Sequence, residues 1–451
     1  MKKMYEVPGF YQNRPGKVIE LCEYLTKVMN EIHGTGYSFR FWVILLEDYA
    51  WLCVNRELQM SEQIIRSRPA ITPINGWELP NWKDRWRERV RQMAKAFYKG
   101  NSMNKINNIL EVNKNICVGI RGKELERFGL GTYCPAYYNI SSFILDTGLR
   151  KKLKSIAESE DSIFRKNVIL QLPRYYVEDF KKNISKINLF EPHKKIFHAE
   201  HLSGMMDLII ALYLEHGAKY YLYQLGCNFG EKVGSPSPIT YIKIDKLRTF
   251  GWKIHDKDEP HVAYRLEQFS RCYKEYKTNE HYDICIVYNQ VNIANKKSYK
   301  KISELFFKKI EYKKYPDIIL RPRGYTRKMN NSGQLRYLNK PERISIDRGM
   351  RPIHELVKAS RVMVHLNIPS TNFLECVYVN HPVVAICNVD NPTEIVKPYY
   401  RFFKEMHVFH DNMESLVEHL NSVDLGSWWE KVTGYPMYKE FKHKFARKVK
   451  N

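Results

Sequence analysis

Apolar residues recur at three- and four-residue intervals along residues 17–32, 39–56, 82–99 and 150–158, which predicts amphipathic helices there. Short β-like runs at 168–171 and 220–223 flank a helical pattern at 202–215, a first β–α alternation. From residue 282 the alternation becomes regular. The run 283–288 (DICIVY) reads as a buried strand, 298–309 as a helix, 317–320 and 343–346 as strands, and 353–359 as a helix. Then 361–366 (RVMVHL) is expected as a strand, 371–379 as a helix, 382–387 (PVVAIC) and 407–409 as strands, and 413–420 as a closing helix. Short strands rich in Val and Ile, separated by helices, predict a parallel sheet covered on both faces. The fold class expected is α/β.

This pattern divides the chain. Residues 1–275 are expected as a helix-rich α/β domain, 276–425 as a Rossmann-like nucleotide-binding domain, and 426–451 as a basic C-terminal tail. The 451 residues are 44% hydrophobic, enough for packed cores. The most apolar runs, 41–46 and 208–214, stop at Glu47–Asp48 and at Glu215, far short of the ~20 residues a membrane span needs. The opening MKKMYEVPG has charge without an apolar stretch, so no signal peptide is expected. A soluble cytoplasmic protein is predicted. The nine cysteines are scattered without a C-x-x-C, and no H-E-x-x-H occurs, so neither a disulfide framework nor a metal site is expected. His193, His198 and His201 are read as ordinary polar residues, and no cofactor is called for.

The net charge of +24 favours an anionic partner. Two stretches concentrate it. Residues 81–99 set Trp82, Trp86 and Val90 among Arg85, Arg87, Arg89 and Arg91, and residues 438–451 interleave Phe441 and Phe445 with lysine and arginine. Such basic amphipathic segments suit an anionic membrane surface, and the tail is expected to hold the protein at the inner face of the cell membrane. The same pattern also fits an aromatic face packed on the domain. No nucleic-acid-binding signature accompanies the charge, so nucleic acid is not expected as a partner.

In open α/β sheets ligands bind beyond the carboxyl ends of the strands. Three loops of the C-terminal half qualify: Asn289 after the first strand, Arg321 and Arg323 in the R-P-R-G run, and Ser370, Thr371 and Glu375 in the I-P-S-T-N-F-L-E run. Ser370 is expected to cap the helix, whose first amides would bind a phosphate. The two arginines would add planar donors, and Glu375 would accept ribose hydroxyls. Separately, each residue fits a plain structural role; their convergence at strand ends points to a nucleotide phosphate site.

The order of Arg321-Pro322, SRVMVH at 360–365, Ser370-Thr371 with Glu375, and NHPVV at 380–384 resembles the C-terminal half of GT-B glycosyltransferases. More specifically, the chain is similar to a family of transferases for bacterial surface polysaccharides of the leptospiral O-antigen type. That family's blocks are matched at 38–46 with Trp51-Leu52, at 173–180, at the glycine-rich loop 224–230 (QLGCNFG), at Asp245, and at Phe250-Gly-Trp252. The resemblance implies a GT-B-like fold, two Rossmann-like domains facing a cleft, with metal-independent glycosyl transfer. It also implies that Gln224, Gly226, Asn228 and Gly230 form an acceptor or donor loop. Leu225 stands where the family's loop carries a histidine, which in related GT-B polymerases serves as general base. A distant likeness to retaining Kdo transferases implies CMP-Kdo, or another CMP-activated ulosonic acid, as one donor candidate.

Glycosyl transfer needs a stabilised leaving phosphate and a carboxylate or base near the sugar. Asp245 is the first choice for that carboxylate by family position, and Glu200 in HAEH the second. Asp256-Lys-Asp258 spells D-x-D, but Glu259-Pro260 make it read as a turn. Three functions follow. The first is transfer from a nucleotide-sugar to a membrane-linked glycan acceptor of a surface polysaccharide or lipopolysaccharide. The second is polyol-phosphate transfer from a CDP-alcohol. The third is nucleotide or glycan binding without catalysis inside an assembly complex.

Overall fold

The computed structural model describes residues 14–66, 109–112, 115–118, 132–133, 146–173, 175–185, 187, 195–199, 205–224, 226–227, 229–288, 304–322, 344–347, 351–368, 370–387 and 392–448. By their contacts these fall into two compact units: those within Gly9–Tyr221 with Ile242–Asp245, and those within Leu222–Tyr241 with Lys246–Asn451.

In the first unit, helices α1 (Arg14–His33) and α2 (Phe39–Arg66) pack on each other. Val18, Leu21, Leu25, Val28 and Ile32 form the buried stripe of α1 at helical spacing. Trp42 of α2 is buried and donates its indole N–H to Asn30 Oδ1 at 2.9 Å. Strand β1 (Ile109–Val112) runs antiparallel to β2 (Asn115–Val118) and to β3 (Thr132–Tyr133). Helices α3 (Thr147–Glu158) and α4 (Ile163–Leu170) follow, opened by Asp146 and Ser162, whose side chains accept the Leu149 and Arg165 amides. Next come α5 (Phe180–Ile184), β4 (Lys195–His198) parallel to β2, α6 (Met205–Glu215) and β5 (Lys219–Tyr223). The run 168–171, expected as a strand, is instead the last turn of α4 and its cap. Val168 and Ile169 face inward from that helix. An apolar run of four residues fits either element, and the Ser162 cap decides it. The helix expected at 82–99 lies outside the described residues.

The chain continues through α7 (Pro238–Lys243) to the second unit's β6 (Lys246–Thr249), which pairs in parallel with β7 (Asp258–Pro260). Asp258 closes the turn between them. Its Oδ2 accepts the Ile254 and His255 amides at 2.9 and 2.6 Å, and its Oδ1 accepts the Tyr241 hydroxyl. Helix α8 (Tyr264–Glu275) leads into β8 (Tyr282–Tyr288); residues 304–309 are helical, and β9 (Ile318–Pro322) and β10 (Ser345–Ile346) follow. Then come α9 (Ile353–Ala359), β11 (Ser360–Ile368), α10 (Thr371–Val379), β12 (Val383–Cys387), α11 (Lys397–Glu405), β13 (Phe409–His410) and α12 (Met413–Ser422). The last elements are α13 (Leu425–Gly434) and α14 (Pro436–Phe445).

Six of these strands form one sheet in the order β10-β9-β8-β11-β12-β13, every pairing parallel. Counted from β8 the order is 3-2-1-4-5-6, the doubly wound Rossmann arrangement, which reverses direction between β8 and β11. Its central strands are buried on both faces, hence the unbroken Ile284–Val287, Val362–Val364 and Val383–Ile386.

Residues 426–451, expected as a basic tail, are folded into this unit as far as they are described. Phe441 and Phe445 of α14 are buried against Tyr399 and Phe403 of α11. Three lysines of this segment have partners inside the protein. Lys442 donates to Asn380 Oδ1 at 2.6 Å, Lys444 pairs with Glu440 at 2.9 Å, and Lys448 lies over the Tyr378 ring. Arg447 donates its amide to Phe250 O and its guanidinium to Gly251 O. These bonds tie the chain's end to residues 250–251, which were expected to belong with the N-terminal domain. Among the described residues, no helix is long and apolar enough to cross a membrane.

Candidate functional site

The reversal of strand order fixes where to look. β11 ends at the switch point and the chain turns directly into α10. Ser370 precedes that helix in extended conformation (φ −141°, ψ 130°), but its side chain makes no capping bond, contrary to expectation. The Phe373 amide donates to the Ser370 carbonyl at 3.1 Å, and the Ser370 side chain leaves the earlier amides of the turn, those of Thr371 and Asn372, uncapped.

The glycine-rich loop comes to the same point. The Cys227 amide donates to Thr371 Oγ1 at 3.2 Å, and the Thr371 hydroxyl lies 3.6 Å from Cys227 Sγ. Gly226 makes this approach possible, because a Cβ there would sit 2.4 Å from Thr371 Oγ1. The loop is held from behind by Gln224, which is 1% exposed. Its Oε1 accepts the Phe250 amide at 2.8 Å and the Trp252 indole N–H at 2.9 Å, while its Nε2 donates to Gly226 O at 2.7 Å. At the far end Gly230 (φ +78°) lies on the Trp252 ring, where a Cβ would come within 2.5 Å.

Beneath the start of α10 lies a buried polar group. His365, near the middle of β11, is 1% exposed, and neither ring nitrogen has a well-formed hydrogen bond among the described residues. Burial pushes its imidazole down to about 3, with the Asn372 side chain acting the other way. Asn372 donates to Glu375 Oε2 at 2.8 Å, and its own Oδ1 makes no well-formed hydrogen bond among the described residues. Burial holds the Glu375 acid above the ordinary carboxylate range, against smaller effects of Asn372 and Arg265. Glu375 is thus a buried acid bound within its own helix, rather than the open ribose acceptor expected.

Arg321, expected to bind phosphate, pairs through Nη1 with Asp347, a carboxylate only 3% exposed. Arg321 stands near the carboxyl end of β9, in register with Val287 of β8. Asp245 is also committed. Its Oδ2 accepts from Arg40 Nη2 and from the Tyr220 amide, both at 2.7 Å. Tyr220 stands near the amino end of β5, whereas Gln224 follows that strand's carboxyl end, about 13 Å along at ~3.3 Å per residue. Asp245 therefore fastens α2 to the start of β5. Glu200, Asn289, Arg323 and Asn228 lie outside the described residues.

The structure thus gathers Gln224, Gly226, Gly230, Ser370, Thr371 and Glu375 in one unit. It adds residues the sequence did not mark: Cys227, Glu231, His365, Asn372 and Asp347. His365 carried a signal, as an ionisable side chain set directly after the apolar run Val362–Val364 of a central strand. Glu231 reads as a solvated charge beside Lys232, and nothing local betrays its burial.

A family model for the LIC12162 family transferase matches residues 57–451, so the chain belongs to that family of transferases. No curated protein matches it in sequence. Among solved structures it is similar to a UDP-GlcNAc 2-epimerase from Neisseria meningitidis bound to UDP-GlcNAc, with 12% identity and a TM-score of 0.36 over 66% of this chain and 80% of that one. A UDP-GlcNAc 2-epimerase from Methanocaldococcus jannaschii gives 14% identity and 0.33 over 65% and 82%. The wall teichoic acid polymerase TagF gives 12% and 0.31 over 66% and 89%.

Proposed function

We propose that this transferase is a GT-B glycosyltransferase that moves a sugar from a nucleotide-sugar to a growing surface polysaccharide or lipopolysaccharide. One observation carries the reading: the loop 224–230 docks through Cys227 on Thr371, the first residue of the helix at the Rossmann switch point. A nucleotide diphosphate or monophosphate fits there, because the helix start offers amide donors and partial positive charge to the leaving phosphate. The Thr371 hydroxyl and the Cys227 amide edge the same spot. The donor class is the one the sequence resemblance implies, a CMP-activated ulosonic acid such as CMP-Kdo, and the acceptor a membrane-linked glycan. No acidic or histidine cluster of metal-binding geometry occurs among the described residues.

A thermal-shift screen with CMP, CDP, UDP and GDP, followed by a transfer assay with the matching sugar donor, tests the reading. A CMP shift with transfer supports the ulosonic donor. A shift with UDP or GDP moves the donor class, and no shift with any nucleotide rejects the site. A second reading has one observation in its favour. Asp245, the first choice for the catalytic carboxylate, is held by Arg40 and the Tyr220 amide. A nucleotide-dependent shift without transfer from any donor would establish binding without catalysis.

A further inference from the structure

Glu231 follows the glycine-rich loop directly and turns inward, 3% exposed, in a chain whose other acids mostly reach water. Its Oε2 accepts the Tyr400 hydroxyl of α11 at 2.7 Å, and its Oε1 has no hydrogen-bond partner among the described residues. Its backbone is fastened on the same side: Thr393 donates its amide to Glu231 O at 3.0 Å and its hydroxyl to Gly230 O at 2.6 Å. The carboxyl group therefore joins the end of the 224–230 loop to α11, and the backbone of 230–231 joins it to Thr393 before that helix.

We propose that Glu231 is a positioning residue for this loop: as the neutral acid it ties the loop to α11 through Tyr400, and loss of its proton loosens the loop from the start of α10. The assignment rests on the donor-site reading only for its effect on nucleotide binding; the loop's response stands apart from it.

The physical case is one of desolvation without compensation. A buried carboxylate needs a cation or several donors, and here the Tyr400 hydroxyl is the donor in place. The titratable groups facing the pair among the described residues are Tyr400 itself on α11, whose hydroxyl burial pushes well up, Cys227 on the loop and Cys387 at the end of β12. Burial pushes the Glu231 acid up to about 7, with the Tyr400 hydrogen bond pulling the other way. Such a group is about one-tenth ionised at pH 6 and about nine-tenths at pH 8. An ionised Glu231 is stabilised by reaching water, which requires residues 230–231 to leave Thr393. Cys227 and Gly226 lie only four and five residues upstream of Glu231, so the displacement reaches the contact with Thr371.

Hydrogen–deuterium exchange of the full chain tests this, with rates corrected for intrinsic pH dependence. Peptides covering 224–232 should lose about threefold or more of their protection between pH 6 and pH 8 in the wild type. Glu231→Gln should remove that pH dependence. Tyr400→Phe, which leaves Glu231 in place, should move the midpoint to higher pH, because it deletes the bond that favours the carboxylate. Loop protection that does not change with pH in the wild type overturns the proposal. So does a Glu231→Gln profile that follows the wild type, or a Tyr400→Phe midpoint that stays put. Nucleotide affinity is measured in parallel. A pH-dependent loop in a chain that binds no nucleotide upholds Glu231 and fails the donor site. Nucleotide binding with a pH-insensitive loop does the reverse.

Discussion

Trp252 donates its indole N–H to Gln224 Oε1 at 2.9 Å, and the same oxygen accepts the Phe250 amide at 2.8 Å. One buried amide oxygen thus fixes both the 250–252 turn and the start of the glycine-rich loop. Gln224→Ala leaves two buried donors without an acceptor, each a loss of about 1–3 kcal/mol. Trp252→Phe removes one of those donors in advance. In urea denaturation the double variant should therefore lose less than the sum of the two singles, by at least about 0.5 kcal/mol. Strict additivity would mean the two side chains do not act through this bond.

Gly226 is the point of closest approach between the loop and α10. A methyl group there meets Thr371 Oγ1 at 2.4 Å, so Gly226→Ala must push the loop off the helix start. Nucleotide affinity is expected to fall about tenfold, the equivalent of one lost hydrogen bond. Placing Gly226→Ala in a Thr371→Ala background removes the colliding atom and should make the glycine substitution nearly silent. Calorimetry on the four proteins reads both effects.

Arg321→Ala bears on stability before it bears on ligand. Asp347 is 3% exposed, and removing its partner leaves a buried carboxylate uncompensated, a loss of about 3–5 kcal/mol. Arg321→Ala with Asp347→Ala should recover a large part of that loss in chemical denaturation. A single Arg321→Ala variant with wild-type stability and weakened nucleotide binding would return Arg321 to the phosphate-binding role expected of it.

Acid should destabilise the fold through its buried histidines. Burial lowers His365 and His381 to about 3 and His410 and His419 to about 4. In the unfolded chain each takes a proton near 6.5, so the native state loses stability as pH falls from there toward those values. Each adds up to about 1.4 kcal/mol per pH unit to the slope. Glu231 works the other way, its raised acid lowering stability as pH rises from the ordinary carboxylate range to about 7. With these four histidines against two raised acids, Glu231 and Glu375, melting temperature should rise between pH 4 and pH 6.5. His381→Leu should make that rise shallower; a slope unchanged in this variant would contradict the buried neutral state of His381.

Local pattern and long-range contact divide what the sequence discloses. The 371–379 helix was legible to the residue, because a capping-type Ser-Thr precedes an apolar run and Asn380 ends it in the left-handed region (φ 59°). The strands 282–288, 360–368 and 383–387 were legible as Val- and Ile-rich buried runs. Helix α14 was not, because its lysines read as a solvated or membrane face. Only the fold reveals Asn380, Glu440 and the Tyr378 ring as their partners. Among site residues, Thr371, Gly226 and Gln224 carried family spacing. Asp347 and Glu231 did not, since each is defined by a partner far along the chain: Arg321 for the first, Tyr400 for the second.

The central claim is that a nucleotide binds where the 224–230 loop meets the start of α10. Hydrogen–deuterium exchange with and without saturating nucleotide, at constant pH, tests it most directly. The account predicts that protection gained on binding concentrates in peptides spanning 224–230 and 370–376. Protection that appears elsewhere while these two segments stay unchanged would contradict it.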